Sequence, residues 1–507
     1  MPNLNKFRWP YREDAVFSLL AFAVLLVPLA FSVFTNENFE TIKLVLWLLC
    51  LGSALLIWLF RRFREGLKIF GRAGRLMLYS AAGFLLWALL ASLWAPDRLY
   101  AFFGFYYRFT NGVLFYALFV FTLVLLTQVL DWDRWRFLVK ILVIDGFAVA
   151  VKGILESLGL TLYQGLSTEA VIRSPGLLGN PNFSAMFLAC VLPLSVLLAL
   201  AARRFWPRVA LWLNVFVVFV ALITYSSRGA FLAVIVSAIF TGLALLFLRL
   251  PKRQVILALI ITIAVVFGSF WLLGISRPGI FGSRGDVNID TRLAVWRQTW
   301  QQAIWKHPAF GVGPGNFAVF HERVARDPLM GVFDDPHNLW LLLAATGGLP
   351  LLLLFLSIIG WPAWTAYRKL QIKFDGYLLA GLASLIAFIV AAAFTPVPIP
   401  TFLLLAVLLS GFLLSEGNVH ILKLRVIFRA ILAALAFILV ACGLCLGAGE
   451  TLLYLGHLRY QEGNFSSAKR LLAWSQAVNP TGELARVFYA YADLNLGADT
   501  DAIRAEA

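Results

Sequence analysis

The sequence predicts an all-α, polytopic transmembrane bundle, and three observations support this fold class. Of the 507 residues, 61% are apolar and only 13% are charged, whereas soluble domains carry roughly 45–50% apolar and about 25% charged residues. The apolar residues fall in runs of about 20, the length that crosses a bilayer as a helix. Phe and Trp are abundant, at 44 and 17 residues. This composition excludes a soluble multidomain enzyme, and it favours cationic cytoplasmic loops over nucleic-acid binding as the source of the +16 charge.

Thirteen apolar runs are predicted to span the membrane. Because the run at 400–415 has only 16 residues, the expected number of spans is twelve or thirteen. They lie at 15–34, 41–60, 76–94, 112–130, 137–155, 184–202, 207–225, 229–248, 255–275, 339–358, 376–394, 400–415 and 426–447. The first run is too long for the core of a signal peptide and lacks a small-residue cleavage site, so we expect it to remain as an anchor.

The basic residues predict the orientation of these spans. Alternate connections are rich in Lys and Arg, with six such residues between 61 and 75, while connections 35–40 and 395–399 contain none. Positive residues concentrate on the cytoplasmic side. The N-terminus is therefore expected in the cytoplasm, and the large loop 276–338 and the tail after residue 450 are expected to face the periplasm or cell exterior.

The tail predicts a small helical unit outside the membrane. Gly463, Phe465, Ala468 and Pro480 follow the spacing of a tetratricopeptide repeat. We therefore divide the chain into a membrane domain at 1–450 and an external helical segment at 451–507. That segment is either a docking surface for a protein partner or an acceptor, or an amphipathic helical pair packed on the membrane domain.

Three arginines stand out because the expected outer side is otherwise poor in cations. Arg228 lies in a very short turn between two apolar runs, where a charge is costly and indicates function. Arg292 begins a run, continued by Trp296 and Trp300, with the spacing of an interfacial amphipathic helix. Arg173 precedes a Gly- and Pro-containing loop with Asn180 and Asn182, whose backbone donors are expected to cradle an anion or simply to form a re-entry turn.

His337 is the candidate general base. It stands where the large loop re-enters the membrane, next to Asp334, Asp335 and Asn338. Imidazole takes up a proton near neutral pH, and a neighbouring carboxylate is expected to orient it. The alternative is a contact at a helix start, made by His337 and Asn338 without chemistry.

Arginines and a histidine on one side at membrane level suit a lipid-linked diphosphate. Guanidinium groups bind phosphate oxygens bidentately and stay charged. A histidine beside the attached sugar would remove the proton from an attacking hydroxyl, while the arginines stabilise the departing diphosphate. Neither a metal nor a cofactor is predicted, because Cys442 and Cys445 lie within an apolar run without further ligands.

The ordered motifs of residues 170–365 resemble the O-antigen ligase and polymerase superfamily. They are Gly179-Asn180-Pro181-Asn182, Ser227-Arg228-Gly229-Ala230, Arg292 to Trp296, the stretch from Pro308 to Phe317, His337-Asn338 and Gly347-Gly348. The resemblance implies a helical membrane bundle of the glycosyltransferase C type that needs no metal or nucleotide. It also implies transfer of a glycan from undecaprenyl diphosphate to an acceptor hydroxyl outside the inner membrane, as in lipopolysaccharide biosynthesis. Donor binding falls on Arg228 and Arg292, with Arg173 as a further position, and acceptor activation falls on His337.

Several alternatives remain open. The acceptor is lipid A core for a ligase, a growing glycan for a polymerase, or a protein hydroxyl for an O-oligosaccharyltransferase. A metal-dependent enzyme would need paired carboxylates, and the first outer loop has Glu37 and Glu40 without adjacent acids. A transporter would use charges within the membrane, for which Lys140, Asp145 and Lys152 are the candidates.

Overall fold

The apolar runs of the sequence form the helices of an almost entirely helical bundle, seen here in a computed structural model. The structure describes residues 14–61, 63–160, 174–247, 287–324, 333–423, 425–479 and 482–497, with residues 256, 260, 263, 267 and 268 between them. The helices are α1 (Ala15–Leu29), α2 (Glu40–Arg61), α3 (Gly71–Ser92), α4 (Arg98–Phe103), α5 (Val113–Val129), α6 (Trp132–Ser157), α7 (Pro181–Ala201), α8 (Phe205–Tyr225), α9 (Arg228–Phe247), α10 (Val287–Gln298), α11 (Phe317–Val324), α12 (Leu339–Ile372), α13 (Gly376–Ala391), α14 (Ile399–Leu413), α15 (Val426–Gln461), α16 (Phe465–Val478) and α17 (Glu483–Asn495).

The predicted spans and the helices agree. Within the described residues, eight helices are long and apolar enough to cross a membrane, and α1, α5 and α13 are shorter apolar helices. Every predicted span coincides with a helix except 255–275, most of which lies outside the described residues. The chain is therefore a multi-pass membrane protein with an all-α fold.

Helix α14 forms the centre of the bundle. Each of its 15 residues is buried, and α1, α2, α5, α6, α7, α12 and α13 pack around it. A helix that is apolar on every side requires such surroundings.

The two ends of the bundle are built differently. At one end, which we call the ribbon end, strands β1 (Leu67–Phe70) and β2 (Val419–Leu422) pair antiparallel, with Leu67 opposite Leu422. The Gln128 side chain joins this ribbon by accepting from the Lys68 N–H at 2.7 Å. The described candidate site residues lie in or directly beside the connections at the opposite end, which we call the site end. The described parts of these connections are 30–39, 93–112, 158–160, 174–180, 226–227, 287–324, 333–338 and 392–398, followed by the tail.

Helix α12 is broken near the site end because its sequence removes a hydrogen-bond donor. Gly348 has φ 74° and ψ 175° inside the helix, and Pro350 has no N–H for the Thr346 carbonyl. That carbonyl instead accepts from the Gly313 N–H at 2.9 Å. The loop 305–316, which follows α10, thus supplies the hydrogen-bond donor that the broken helix lacks.

A second exchange fixes the same loop. The Leu349 N–H donates to the Pro308 carbonyl at 2.8 Å, and the Ala345 carbonyl that it leaves accepts from the Val312 N–H at 2.8 Å. Each buried backbone group therefore keeps a partner across the break. This arrangement anchors the 305–316 loop on the half of α12 that begins after His337.

The tail is a helical unit that continues the last membrane helix. The 36-residue helix α15 runs without a break through residue 450 and is followed by α16 and α17. Leu453, Ala468 and Leu472 form a small core with residues of α17. Gly463, at φ 76°, makes the turn between α15 and α16, which is where the repeat spacing predicts one.

Candidate active site

Arg228 is presented by the start of α9. Helix α8 ends at Tyr225, Ser226 adopts a left-handed backbone at φ 51°, and α9 begins at Arg228. The Arg228 side chain is exposed. A helix N-terminus carries partial positive charge, so a guanidinium at this position concentrates positive potential and favours an anion.

Phe394 joins the start of α9 to Arg292. Gly229 lies so close that a Cβ there would be 2.9 Å from the Phe394 Cβ. The Arg292 Nη1 donates to the Phe394 carbonyl at 3.1 Å, and the Trp296 ring lies 6.1 Å from the Phe394 ring. The Arg292 side chain and the backbone next to Arg228 therefore contact the same residue of the α13–α14 connection.

A helix is present where the sequence predicts one after Arg292, within α10 (Val287–Gln298). Val295 and Thr299 are buried, and Thr299–Ile304 form a π-helical turn. The Trp305 N–H donates to the Trp300 carbonyl at 2.9 Å, an i to i+5 bond. Trp300 is 51% exposed, which is compatible with the interfacial helix that the sequence predicts.

His337 lies in a loop that several bonds fix in place. The Trp296 Nε1 donates to the Pro336 carbonyl at 2.7 Å, and the Leu339 N–H donates to the Ala392 carbonyl at 2.8 Å. Asn338 caps α12, because its Oδ1 accepts from the N–H groups of the next turn. The His337 backbone is left-handed at φ 56°, which costs roughly 1–2 kcal/mol for a residue with a side chain.

The two acidic neighbours act on the His337 loop in different ways. The Asp335 Oδ1 accepts from the main-chain N–H of His337 at 2.6 Å. The Asp334 Oδ2 lies 2.8 Å from the Arg108 Nε. Among the described residues, neither carboxylate bonds the imidazole, although the sequence predicts that one of them orients it. Asp335 instead fixes the backbone that carries the ring.

The electrostatics of the site keep His337 neutral. Burial, and then the positive charges of Arg292 and Arg108, lower the pKa of His337 to about 4, while Asp334 acts in the opposite direction. A neutral imidazole is the form that accepts a proton. Burial raises the pKa of Asp335 to about 7 despite the charge of Arg108, so this carboxyl titrates close to neutral pH.

The upstream loop is held rigidly, although Arg173 lies outside the described residues. Asn180 caps α7 by accepting from the Asn182 N–H at 2.9 Å. Gly179 has φ 73°, and the Phe39 ring packs so closely against it that a Cβ at this position would lie 2.6 Å from the ring. The side chain of Asn180 thus serves the helix start.

Sequence reasoning missed Lys43, which bonds the Leu177 carbonyl of this loop. Its Nζ is fully buried and donates to three carbonyls, of Ala30, Phe39 and Leu177, at 2.6, 3.2 and 3.0 Å. Lys43 ties the 30–39 connection to the 174–180 loop. A cation inside an apolar run was the available signal.

Sequence reasoning also missed Arg108, which contacts Asp334 beside His337. Arg108 lies in the expected outer loop between two apolar runs, flanked by aromatic residues. The outward cation was visible, but its partner is 226 positions away and could not be identified from spacing.

Of the two glutamates of the first outer loop, Glu37 serves the start of α2 and Glu40 the start of α14. The two Glu37 oxygens accept from the Phe39 and Thr41 N–H groups at 3.0 and 2.6 Å, and the Glu40 Oε2 accepts from the Ile399 N–H at 3.2 Å. Within the described part of the chain, no group of three His, Cys, Asp or Glu residues is placed to hold a metal ion.

Of the three candidates for transport, Lys152 is engaged in local structure, Lys140 is exposed, and the Asp145 carboxylate has no hydrogen-bond partner among the described residues. Lys152 pairs with Glu156 one turn further along α6, and Glu156 also accepts from the Gly176 N–H at 2.9 Å. Asp145 is fully buried. The Lys152 pair thus supports the 174–180 loop at the site end.

Taken together, the site end carries guanidinium groups and a neutral imidazole on connections that bond to one another. Such a set can hold a doubly charged anion and accept a proton from a neighbouring hydroxyl. Residues 213–356, which include Arg228, Arg292 and His337, match a family model described as O-antigen ligase (Wzy_C). None of the curated proteins matches the chain.

Proposed function

Because the chain carries an O-antigen ligase domain and so belongs to the O-antigen ligase and polymerase superfamily, we propose that it transfers a glycan from undecaprenyl diphosphate to an acceptor hydroxyl. In this proposal Arg228 and Arg292 bind the diphosphate, with Arg173 as a third contact. His337 is the general base, and Asp335, Asn338, Asn180 and Asn182 support the loops that carry these groups.

The proposed step inverts the configuration at the anomeric carbon of the transferred glycan. The acceptor oxygen attacks that carbon while His337 takes the hydroxyl proton. The bond from the carbon to the diphosphate oxygen breaks, and the electron pair leaves with undecaprenyl diphosphate. Arg228 and Arg292 bind more strongly as charge grows on the departing oxygen, which lowers the barrier.

The observation that carries this proposal is the meeting of three site elements at the α13–α14 connection. Gly229 packs on the Phe394 side chain, and Arg292 bonds the Phe394 carbonyl. The residue after the His337 loop, Leu339, bonds the Ala392 carbonyl. Contacts with one segment support the proposal that the diphosphate ligands and the base act on one substrate.

The charges support a periplasmic position for this site. Clusters of Lys and Arg lie at the ribbon end, for example Arg203 and Arg204 between α7 and α8 and Arg208 in the first turn of α8. We therefore assign the ribbon end to the cytoplasm of a bacterial inner-membrane protein and the site end to the periplasm. Residues 1–450 would then be the transferase domain, and 451–507 an external repeat-like segment able to meet a protein partner or an acceptor.

A direct test identifies the product. The purified full chain is incubated in lipid with undecaprenyl-diphosphate glycan and, in parallel, with lipid A core, with free glycan or with a hydroxyl-bearing protein. Mass spectrometry then identifies the acceptor that gains the glycan. We expect lipid A core, as for a ligase. A product on glycan or protein instead would assign the polymerase or O-oligosaccharyltransferase role, and release of undecaprenyl diphosphate with none of them would contradict transfer.

Two further readouts separate the other classes. Transfer that persists in EDTA supports an arginine-based site, whereas loss of turnover on chelation would favour a metal-dependent enzyme. Movement of labelled lipid-linked glycan between leaflets, without a new glycosidic bond, would favour a transporter.

A further inference from the structure

Arg108 links the connection between α4 and α5 to the loop that carries His337. Its Nε lies 2.8 Å from the Asp334 Oδ2, and the two side chains are only 19% and 22% exposed. Its guanidinium also lies over the Phe183 ring, 5.4 Å from the ring centroid. A partly buried pair is screened less than a surface pair, so this contact joins two segments 226 positions apart.

The backbone around Arg108 is held in one shape. The Arg108 N–H closes a tight turn on the Phe105 carbonyl at 2.8 Å, and Tyr107 adopts φ 53° within it. The Tyr106 hydroxyl donates to the Glu450 Oε2 at 3.2 Å. Since both sides of the turn are fixed, the guanidinium is delivered to the His337 loop by a rigid element.

We propose that Arg108 is a positioning residue of this site: it holds the His337 loop through Asp334, and its positive charge disfavours a second positive charge on the imidazole. The proposal rests on the proposed function for its effect on transfer. Its electrostatic part concerns His337 alone and can be tested without any substrate.

Four charged or titratable groups face His337, and their signs make the test specific. Arg292 approaches from α10 and Arg108 from the α4–α5 connection, and both lower the pKa of His337, whereas Asp334 raises it. Asp335 accepts from the main-chain N–H of His337. Removing the charge of Arg108 should raise the pKa of His337, and removing the charge of Asp334 should lower it further. A loop that merely loosens would expose the ring and raise the pKa in both variants.

The test uses diethyl pyrocarbonate, which reacts with neutral imidazole. The full-length protein in lipid nanodiscs is labelled across a pH series, and peptide mass spectrometry follows the modification of His337. We expect Arg108→Gln to move the midpoint upward by roughly 0.5–1 pH unit and Asp334→Asn to move it downward. The control, Arg98→Gln, removes an exposed charge at the start of α4 and should leave the midpoint in place. An unchanged midpoint in Arg108→Gln, or an upward shift in Asp334→Asn, would overturn the electrostatic part of the proposal.

A transfer assay tests the positioning role separately. Arg108→Gln should lower kcat about 10-fold or more, because a displaced base reacts poorly, with a smaller change in the donor KM. Arg108→Lys should restore the labelling midpoint and only part of kcat, since the planar guanidinium is lost. A wild-type kcat in Arg108→Gln would refute positioning. Labelling that behaves as expected in a protein without transferase activity would instead support the electrostatic proposal and refute the proposed function.

Discussion

The two ends of the bundle hold their positive charges differently. At the ribbon end, many cations are exposed, as at Arg203 and Arg368, and others pair with carboxylates, as Arg134 does with Asp14 at 2.7 Å. At the site end, Arg228 is exposed, whereas Lys43 bonds three main-chain carbonyls and Arg292 bonds one. Exposed cations suffice to fix topology, whereas a fully buried cation such as Lys43 is costly and indicates function.

Backbone strain separates the same two ends. At the ribbon end, the described positions with positive φ are glycines, Gly66, Gly71 and Gly417, which adopt it at little cost. At the site end, three described residues with side chains do so, at Tyr107, Ser226 and His337. Each of them is within two residues of a proposed site residue or is one. Strain of this kind costs about 1–3 kcal/mol per residue and clusters at functional sites.

The largest effect is expected from His337→Asn. Asn tolerates the left-handed backbone but cannot act as a base, so transfer should fall by ~10²–10⁴-fold while the protein still folds and binds donor. The matched control at the ribbon end is the exposed His420→Asn, which should keep full activity. Initial rates and donor binding measure both variants. Substantial transfer by His337→Asn would refute the assignment of the base.

Loss of Arg228 or Arg292 should come next in size. Charge-assisted hydrogen bonds contribute about 1.5–3 kcal/mol each, so Arg228→Gln and Arg292→Gln should weaken donor binding by roughly 10–100-fold. Lys should rescue only in part, because it lacks the bidentate fork. Arg368→Gln, an exposed change at the ribbon end, is the control. Binding of undecaprenyl diphosphate to protein in nanodiscs is the measurement, and equal losses in all three variants would remove the distinction between the two ends.

The pH dependence should show a moderate effect with a definite sign. Transfer needs neutral His337, and its pKa is lowered to about 4, whereas a solvated histidine has a pKa near 6.5. The rate therefore stays high as the pH falls through 6.5 and declines only toward pH 4–5. The acid limb of kcat/KM for the donor reports this group in the free enzyme. An acid limb near neutral pH that disappears in Asp335→Asn would report Asp335, whose pKa is raised to about 7. One that persists at or above 6.5 in that variant would show that the imidazole is solvated, contrary to the structure.

Much of the fold could be predicted because bilayer thickness imposes helix length. Twelve of the predicted spans coincide with described helices, including α14, the shortest run. What could not be predicted depends on hydrogen bonds between distant segments. The break at Gly348 is completed by the 305–316 loop, and the π-helical turn at Thr299–Ile304 alters the register locally. Neither leaves a signal in the apolar pattern.

Site residues could be predicted where a polar side chain lies next to long apolar runs of the sequence. Arg228, Arg292 and His337 are polar groups at the expected outer surface, and they fall at the connections of the site end. Their mutual arrangement was not predictable, because it depends on the Phe394 junction. The same holds for Arg108 and Lys43, whose importance lies in partners on other segments.

The smallest expected effects concern the strained backbone itself. Gly417 at the ribbon end has φ 70° and open space where a Cβ would lie, so Gly417→Ala should destabilise the protein by about 1–2 kcal/mol through the backbone alone.

Ser226→Gly at the site end should have the opposite effect and stabilise the protein. The substitution relieves the strain of the left-handed backbone at φ 51°. It also loses the hydrogen bond from the Oγ to the Ile223 carbonyl at 2.9 Å and increases the entropy of the unfolded chain. The net stabilisation should therefore be below about 1 kcal/mol. Thermal unfolding in lipid and initial transfer rates test the pair. If strain at the site end serves function, Ser226→Gly is more stable yet transfers several-fold more slowly, because the start of α9 no longer fixes Arg228; a variant that is less stable and fully active would contradict that link.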